Sequence, residues 1–535
     1  MNDPKRRDRH DGADKTPESV HLAEKAKWDD GKKYFWMFVG VVLFLVVYFA
    51  PDFPDAIDPQ GKRFDLTPQA KAALGLFLLT ATWWVFEVVP IGVTSITVGV
   101  LQVLFLIRPA KIVTEPVTEA IKPGVELTIK VREILSPAKV AFGDFMDPAV
   151  WFIIGSITFG MVFSKTGLTN RIAYRMLVLV GERTSMIYLG SFVLTAGLTL
   201  IMAHTAVAAT VYPLLMAIYA LYTDEEEPTK FGKGLFIGMA FVAGAGSIIT
   251  LLGAARGAVA IGFFREIVGR EVSFFELTEY MLPVGGTMVL VLWIYCMIVF
   301  KPEKKTIPGL RQRARSLHKR LGPITRTEIL ALAIILSAIA VMSMRSFVPA
   351  MKENLDKSAV ILVATILFFV FRILSIKDLE EIPWNIVLLF GGAMSIGFCL
   401  WETGAAEWLA IQWLALFQGA HWFVFVMGTA FFVLMMTNLI MNVAAIAISL
   451  PVALVIAPYL SVAPEVILFA SLVTAGMPFL LLVGAAPNAI AYESKQFTSG
   501  EFFLAGIPAS VLLMVVLAVF VWVIWPLMGM PVVAP

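Results

Sequence analysis

Charged side chains are scarce in this sequence. Asp, Glu, Lys and Arg make up 15% of its 535 residues, while 59% are hydrophobic and the mean hydropathy is +0.82. An ordinary soluble domain is about 25% charged, so a soluble globular chain is excluded. Alternating strands of about ten residues, the mark of a transmembrane β-barrel, are also missing. The only cysteines, Cys296 and Cys399, both lie in apolar spans, and no disulfide framework is expected. Lys plus Arg number 42 against 40 Asp plus Glu, a near balance that by itself says nothing about nucleic acid or acidic partners; no nucleic-acid partner is expected. No H-E-x-x-H, Walker loop or Ser/His/Asp arrangement stands in a fitting context, so no enzyme activity, catalytic set, metal site or cofactor is expected.

Long apolar runs take the place of all these. A helix of about 20 residues crosses about 30 Å of hydrocarbon. Runs of that order recur at 35–50, 72–89, 91–107, 148–165, 186–219, 233–267, 279–300, 326–345, 356–376, 383–401, 421–459, 464–495 and 502–527. Segments 186–219 and 421–459 are too long for one crossing and carry small or polar residues at mid-length, which predicts re-entrant hairpins. Segments 233–267 and 464–495 are interrupted by LLGAARGA and LVGAAPNA, which predicts broken helices. The stretch 301–323 has eight Lys or Arg against one Glu and belongs in the cytoplasm by the positive-inside rule. Eleven crossings and two hairpins then place the N-terminal segment inside, and the tail GMPVVAP and the polar insert 108–143 outside. The leader 1–34, without an apolar stretch and cleavage site, reads as a disordered cytoplasmic tail and not a signal peptide. Asp224, Glu225, Glu226 and Glu227 read as a solvated loop.

The two halves of the chain match in order. GSITFGMVFSKTG (155–167) lies over GAMSIGFCLWETG (392–404), HTAVAATVYP (204–213) over NVAAIAISLP (442–451), and LLGAARGAVA (251–260) over LVGAAPNAIA (482–491). An odd number of crossings per half makes this an inverted repeat, in which a substrate site forms near the midplane from discontinuous helices. The expected fold is therefore an all-α polytopic membrane protein of the inverted-repeat elevator type. Its first scaffold half is 35–185, followed by a first core half at 186–267 and a scaffold span at 279–300. After the basic linker 301–325 come a second scaffold half at 326–420, a second core half at 421–495 and a last span at 502–527.

WWVFEVVPIGVT (83–94) resembles the W-x-x-E-x-x-P-x-x-x-T opening of the divalent anion:sodium symporter family. DPAVWFIIGSITFGMVFSKTGLTNRIA (147–173) is similar to that family's fourth span and following arm. The resemblance covers roughly 70–300 and 326–527. It implies a homodimeric, multi-pass inner (plasma) membrane carrier that moves di- and tricarboxylates or sulfate by an elevator motion, with Na+ as the family's coupling ion. Function in the family rests on two Ser-Asn-Thr hairpin tips and two T-P-P-N helix breaks. Here the tips read Ala203-His204-Thr205 and Met441-Asn442-Val443, and the breaks read Ala254-Ala255-Arg256-Gly257 and Ala485-Ala486-Pro487-Asn488. On these positions the resemblance places the substrate against His204, Thr205, Arg256, Asn442, Val443, Pro487 and Asn488. It places cations against Thr199, Gly246, Thr437, Asn442 and Ala485.

A hard cation needs several oxygen ligands, and the exchange of Ser for Ala203 and of Asn for His204 removes two from the first cation site. His204 is either a protonatable anion ligand, which would make H+ the coupling ion, or a residue satisfied by a backbone carbonyl freed at the tip. Arg256 at mid-span is either an anion ligand or an arginine reaching for the interface. Glu87, in the opening motif, reads as a buried structural charge. The stretch FFVLMMTNLIMN (431–442) reads as core packing. The expected function is secondary transport of a small organic anion, a carboxylate, sulfonate or sulfate. The alternative is an anion channel, or a proton-coupled or exchange permease for a monoanion such as a sulfonate.

Overall fold

Three membrane helices lead directly to an arm in each half of the chain, and the residues that start and stop them repeat. The computed structural model describes residues 17–57, 61–122, 125–223, 227–414 and 421–533. In the first half a leading helix, Pro17–Phe49, is followed by Pro68–Val85, Ile91–Leu104 and Pro148–Thr166, then a lateral arm, Leu168–Val180. The second begins with Arg326–Met344, Lys357–Val370 and Trp384–Glu402, then the arm Ala405–Leu414. A helix start leaves backbone N–H groups without partners, and a hydroxyl caps them. Thr67 accepts from the Ala70 amide and Thr325 from the Glu328 amide, each at 3.1 Å.

The helix ends repeat as closely. The second helix of each half closes with Ile107 N donating to Gln102 O at 3.0 Å and Ile373 N to Phe368 O at 2.8 Å. Both closures put a left-handed residue just after the helix, Leu106 at φ 48° and Arg372 at φ 56°. The third helices end with Thr166 and Thr403 hydroxyls donating 2.7 Å to Val162 O and Cys399 O, followed by Gly167 and Gly404 at φ 81° and 80°. The last helices, Phe274–Val299 and Ser499–Val519, open on the capping boxes Ser273/Glu276 and Thr498/Glu501 and hold internal prolines at Pro283 and Pro508.

Between the arms and the last helices lie the predicted interruptions. The first hairpin pairs Thr184–Thr199 with His204–Tyr222, and the second pairs Trp422–Leu439 with Asn442–Ile456. The broken helices are Lys230–Ser247 with Arg256–Val268, and Pro464–Ala475 with Ala486–Tyr492. Among the described residues nine helices are long and apolar enough to cross a membrane, hairpin arms included. Among the described residues, the ion pairs between helices join ends that the predicted topology puts on one side. Arg171–Glu328 (3.0 Å), Lys165–Asp378 (2.5 Å) and Lys233–Glu501 (2.5 Å) fall on the cytoplasmic side. Arg265–Asp147 (3.3 Å), Arg270–Glu465 (3.2 Å) and Arg108 with Asp144 and Glu402 fall outside.

The basic helix Leu310–Arg320 packs its Leu310 and Ala314 onto the first arm, Leu168–Val180. A cysteine at Ser316 is therefore expected to stay unlabelled by an impermeant maleimide in intact cells and to react after lysis. Labelling in intact cells would reverse the topology.

Three details depart from the sequence reading. The first helix runs Pro17–Phe49, so the polar leader expected to be disordered is helical from Pro17; residues 1–16 lie outside the described residues. The insert 108–143 carries an antiparallel hairpin, Lys111–Lys122 against Val125–Leu135, in keeping with its Val, Ile and Thr content. Glu87 is exposed and sits at φ 43°, so it is a turn residue and not a buried charge. Of the acidic cluster, Asp224, Glu225 and Glu226 lie outside the described residues.

On the side that the predicted topology puts outside, Glu271 accepts from Arg345 at 3.1 and 2.8 Å and from Lys357 at 3.2 Å. Partial burial opposes its charge, but the Arg345 hydrogen bonds and the Lys357 charge outweigh this and hold the carboxyl at about 2, below its ordinary 4.5. A lowered folded value means stabilisation that is complete above about pH 4.5 and is lost as pH falls through about 2. Thermal melts of wild type and Glu271→Gln are expected to differ by a constant gap above about pH 5 that narrows toward pH 2. A gap that does not change with pH would show that the carboxylate charge is not what stabilises this corner.

Candidate functional site

A helix that stops inside a membrane leaves backbone groups that no water can satisfy, so tips and breaks must pair with one another. The first tip pairs with the first break at Gly253. The His204 amide donates to Gly253 O at 3.0 Å, and the ring Nδ1 lies 3.2 Å from the same oxygen. A carbonyl only accepts, so Nδ1 carries the proton and Nε2 is left for another partner. A Cβ at Gly253 would lie 2.6 Å from Ser247 O and 2.7 Å from Thr199 O, so only glycine lets this backbone in. Thr250 Oγ1 donates to Leu200 O at 2.9 Å and closes the tip.

The second half repeats the device with a different side chain. With its amide set so that both ends pair, Asn442 Nδ2 donates to Gly484 O at 2.9 Å and to Thr437 Oγ1 at 3.0 Å. Thr437 in turn donates to Ala475 O at 3.0 Å. His204 and Asn442 occupy matching positions, as do Gly253 and Gly484, so the imidazole holds the first break as the amide holds the second. His204→Asn is therefore expected to melt near wild type, whereas His204→Ala forfeits a hydrogen bond of about 1 kcal/mol. Equal melting of the two variants would show that this bond contributes nothing.

Arg256 crosses between the halves. It is 2% exposed, and its Nη2 donates to Ser247 Oγ at 2.8 Å. Its Nη1 donates to Asn442 Oδ1 at 3.3 Å. A Cβ at Gly476 would come within 2.6 Å of Nη2, so a glycine of the second break makes room for the guanidinium. Guanidinium stays protonated and has five N–H donors. Among the described residues no carboxylate pairs with Arg256, and both acceptors are neutral. The arginine does not reach for an interface; it ends at the junction of the first break and the second tip.

The other predicted residues divide. Thr205 is half-buried in the first turn after His204, and Val443 and Pro487 are buried. Asn488 is spent on structure: its Nδ2 donates to Pro478 O at 2.8 Å and Leu481 O at 3.1 Å. Thr199 is fully buried with its hydroxyl donating to Ala196 O at 2.7 Å, and a Cβ at Gly246 would lie 2.4 Å from that oxygen. Ala485 O accepts the Asn488 amide at 3.0 Å. Sequence reasoning missed Ser247 and Gly476, the neighbours of Arg256. It also missed Asn438, whose Oδ1 accepts the Leu480 and Leu481 amides at 2.8 and 3.3 Å. Asn438 sits in the Met-rich stretch read as core packing. A cavity of about 460 Å³ lies elsewhere, between the first arm, Pro213 and Leu214, and the linker helix at Arg313. The Arg256 centre is closed in this structure, with the guanidinium 2% exposed.

Two hairpins and two broken helices in inverted halves, meeting at membrane depth around a guanidinium, define a multi-pass membrane protein of the secondary-transporter class. The chain belongs to the family described as the sodium:sulfate symporter transmembrane region, which it matches over residues 32–531. It is similar to the sodium-dependent dicarboxylate transporter SdcS of Staphylococcus saprophyticus, 24% identical over 492 residues that cover 88% of this chain and 89% of the relative. SdcS of Staphylococcus aureus NCTC 8325 is 24% identical over 477 residues, with 84% and 86% covered. Among solved structures, Neisseria gonorrhoeae MtrF, described as illuminating a class of antimetabolite efflux pumps, shares the fold. That match has a TM-score of 0.51 at 14% identity, covering 86% of this chain and all of MtrF.

Proposed function

We propose that the protein carries a small organic anion across the membrane by alternating access, the core halves 186–267 and 421–495 moving against the scaffold, and that Arg256 holds the anion. One observation carries this reading: a guanidinium buried at membrane depth whose protein partners are neutral. An intramembrane arginine costs about 2.5–3.5 kcal/mol on insertion scales. An anion at about 4 Å in an effective dielectric of about 20 returns about 4 kcal/mol before its own desolvation. The planar donor fork suits a carboxylate or sulfonate. Dicarboxylates are the first class to test, because the SdcS relatives are named for them. Met441 and Val443 make the second tip apolar, which favours a ligand with one strongly anionic end.

The SdcS relatives are also named sodium-dependent, and Na+ is the coupling ion that family membership suggests. In this chain binding runs without sodium at the first cation site. Ala203 and Ala254 bring no side-chain oxygen, and Arg256 supplies the positive charge. The homodimer is part of the same proposal, tested by the mass of the detergent-solubilised particle. The functional test is a thermal-shift screen of purified protein against succinate, larger carboxylates, sulfonates and sulfate, each in sodium and in choline. At least one carboxylate or sulfonate is expected to raise Tm equally in both salts. No shift with any anion would overturn the reading.

A further inference from the structure

The linker between the halves is fastened at both ends, to different bodies. At its start Ile307 N donates to Glu182 O at 2.8 Å and Thr184 N to Lys305 O at 3.1 Å, which ties it to one foot of the first hairpin. At the other foot the Tyr222 hydroxyl donates to Glu303 at 2.8 Å, and Lys304 Nζ donates to Tyr222 O at 2.7 Å. At its end Gly322 O accepts from Arg171 of the first arm at 2.9 Å, and Arg171 pairs with Glu328 of the helix Arg326–Met344 at 3.0 Å. The helix Leu310–Arg320 thus runs from the proposed core to the scaffold.

The cavity of about 460 Å³ lies along this helix, with Arg313 and Leu317 from the linker, Thr169 and Leu177 from the arm, and Leu214 and Ile218 from the second helix of the hairpin. Its volume suits a small-molecule site, about 300–1,000 Å³. Thr169 is 3% exposed, and its Oγ1 has no hydrogen-bond partner. Buried hydroxyls are normally paired, so this one asks for a partner from the cavity. Arg313 is exposed on a helix without an acidic residue, and among the described residues no carboxylate pairs with it. Leu177, Leu214 and Ile218 are buried and make the walls apolar. An apolar wall beside a guanidinium and a hydroxyl selects a chain-like body with one anionic end.

We propose that this cavity is a second ligand site, separate from Arg256, which takes an acyl chain ending in an anion, its head on Arg313 and the Thr169 hydroxyl and its chain along Leu177, Leu214 and Ile218. A ligand that touches the hairpin, the arm and the linker together favours the one arrangement in which all three walls fit it. Occupation therefore holds the core still. The binding stands without the transport reading, and the holding rests on it.

Cysteine protection tests the site. Leu317 lines the cavity and is half-buried, Ser316 beside it is exposed and outside the cavity, and Cys296 and Cys399 are buried. Leu317→Cys and Ser316→Cys proteins are placed in phosphatidylcholine nanodiscs and labelled with an impermeant maleimide. Decanoate is expected to slow labelling at Leu317→Cys severalfold and to leave Ser316→Cys unchanged, while decanol protects neither. Added Arg313→Gln is expected to raise the half-protective decanoate concentration about tenfold or more, and Thr169→Val about threefold. A second arm replaces decanoate with phosphatidylglycerol in the disc: protection there assigns the chain to a membrane lipid, and protection by decanoate assigns it to a free acyl anion. Protection by neither, or equal protection of both cysteines, overturns the site. The holding is read from uptake of the anion found in the thermal-shift screen, where the protecting amphiphile is expected to lower the maximal rate with KM unchanged. A raised KM at constant maximal rate would place the amphiphile on the transport site and overturn the holding. Failure of the transport reading is distinguishable: it appears as absent uptake without any amphiphile, with the protection at Leu317→Cys intact, and it overturns the holding while the site remains.

Discussion

Arg256→Gln is expected to lose the anion-induced thermal shift and to weaken anion binding roughly ten- to hundredfold, as befits charge-assisted hydrogen bonds of about 1.5–3 kcal/mol. The anion-free variant is expected to melt no lower than wild type, within about 1 kcal/mol. Glutamine gives up the bonds to Ser247 Oγ and Asn442 Oδ1, but it also removes a buried charge whose protein partners are neutral. Removing such a charge is neutral or stabilising more often than not. These two effects oppose each other in the empty protein and reinforce each other in the loaded one. The pair of melts therefore separates an anion ligand from a structural arginine. Unchanged anion affinity together with a large fall in the anion-free Tm would assign Arg256 to structure alone.

Asn442→Ala is expected to have the largest effect on folding, about 2–4 kcal/mol. Its amide is the one group that pairs the second tip with the second break through Gly484 O, steadies Thr437, and gives Arg256 its acceptor in the other half. Each buried group left unsatisfied costs about 1–3 kcal/mol, and in a membrane no water stands in. The melt of the purified variant checks this, with Val443→Ala as the control for lost volume next door. Anion affinity is expected to fall as well, because the guanidinium loses one of the two contacts that aim it. A variant as stable as Val443→Ala would show that the tip is held by other groups.

The inverted repeat was legible because its anchors are chemically demanding. Gly167 and Gly404 close helices in the left-handed region, and Pro213 and Pro451 follow the tips at one spacing. Such positions tolerate few residue types, so the match survives between halves whose apolar residues have drifted. The pairing of His204 with a freed carbonyl was one of two readings the sequence left open; the structure supplies the carbonyl, Gly253 O. The partners of Arg256 were not legible. Residues between Ser247 and Arg256 follow no helical period, so nothing in the spacing says that one side chain turns back to the other. Asn442 and Gly476 reach the guanidinium from the opposite half, a contact no local pattern encodes. Glu87 failed for a related reason: its motif context suggested burial, but the residue occupies the turn between Pro68–Val85 and Ile91–Leu104. The strands of the insert were legible in principle, since Val, Ile and Thr crowd Lys111–Leu135, yet the charge of that stretch made it read simply as polar.

The central proposal is a fixed guanidinium in place of a bound cation at the first site. Its most direct test is the affinity of purified wild-type protein for the anion that gives the largest thermal shift, titrated in sodium chloride and then in choline chloride at equal ionic strength. The two dissociation constants are expected to agree within about twofold, a difference of less than about 0.5 kcal/mol. An affinity that rises tenfold or more with sodium would contradict it, and would return the positive charge beside the anion to a bound cation.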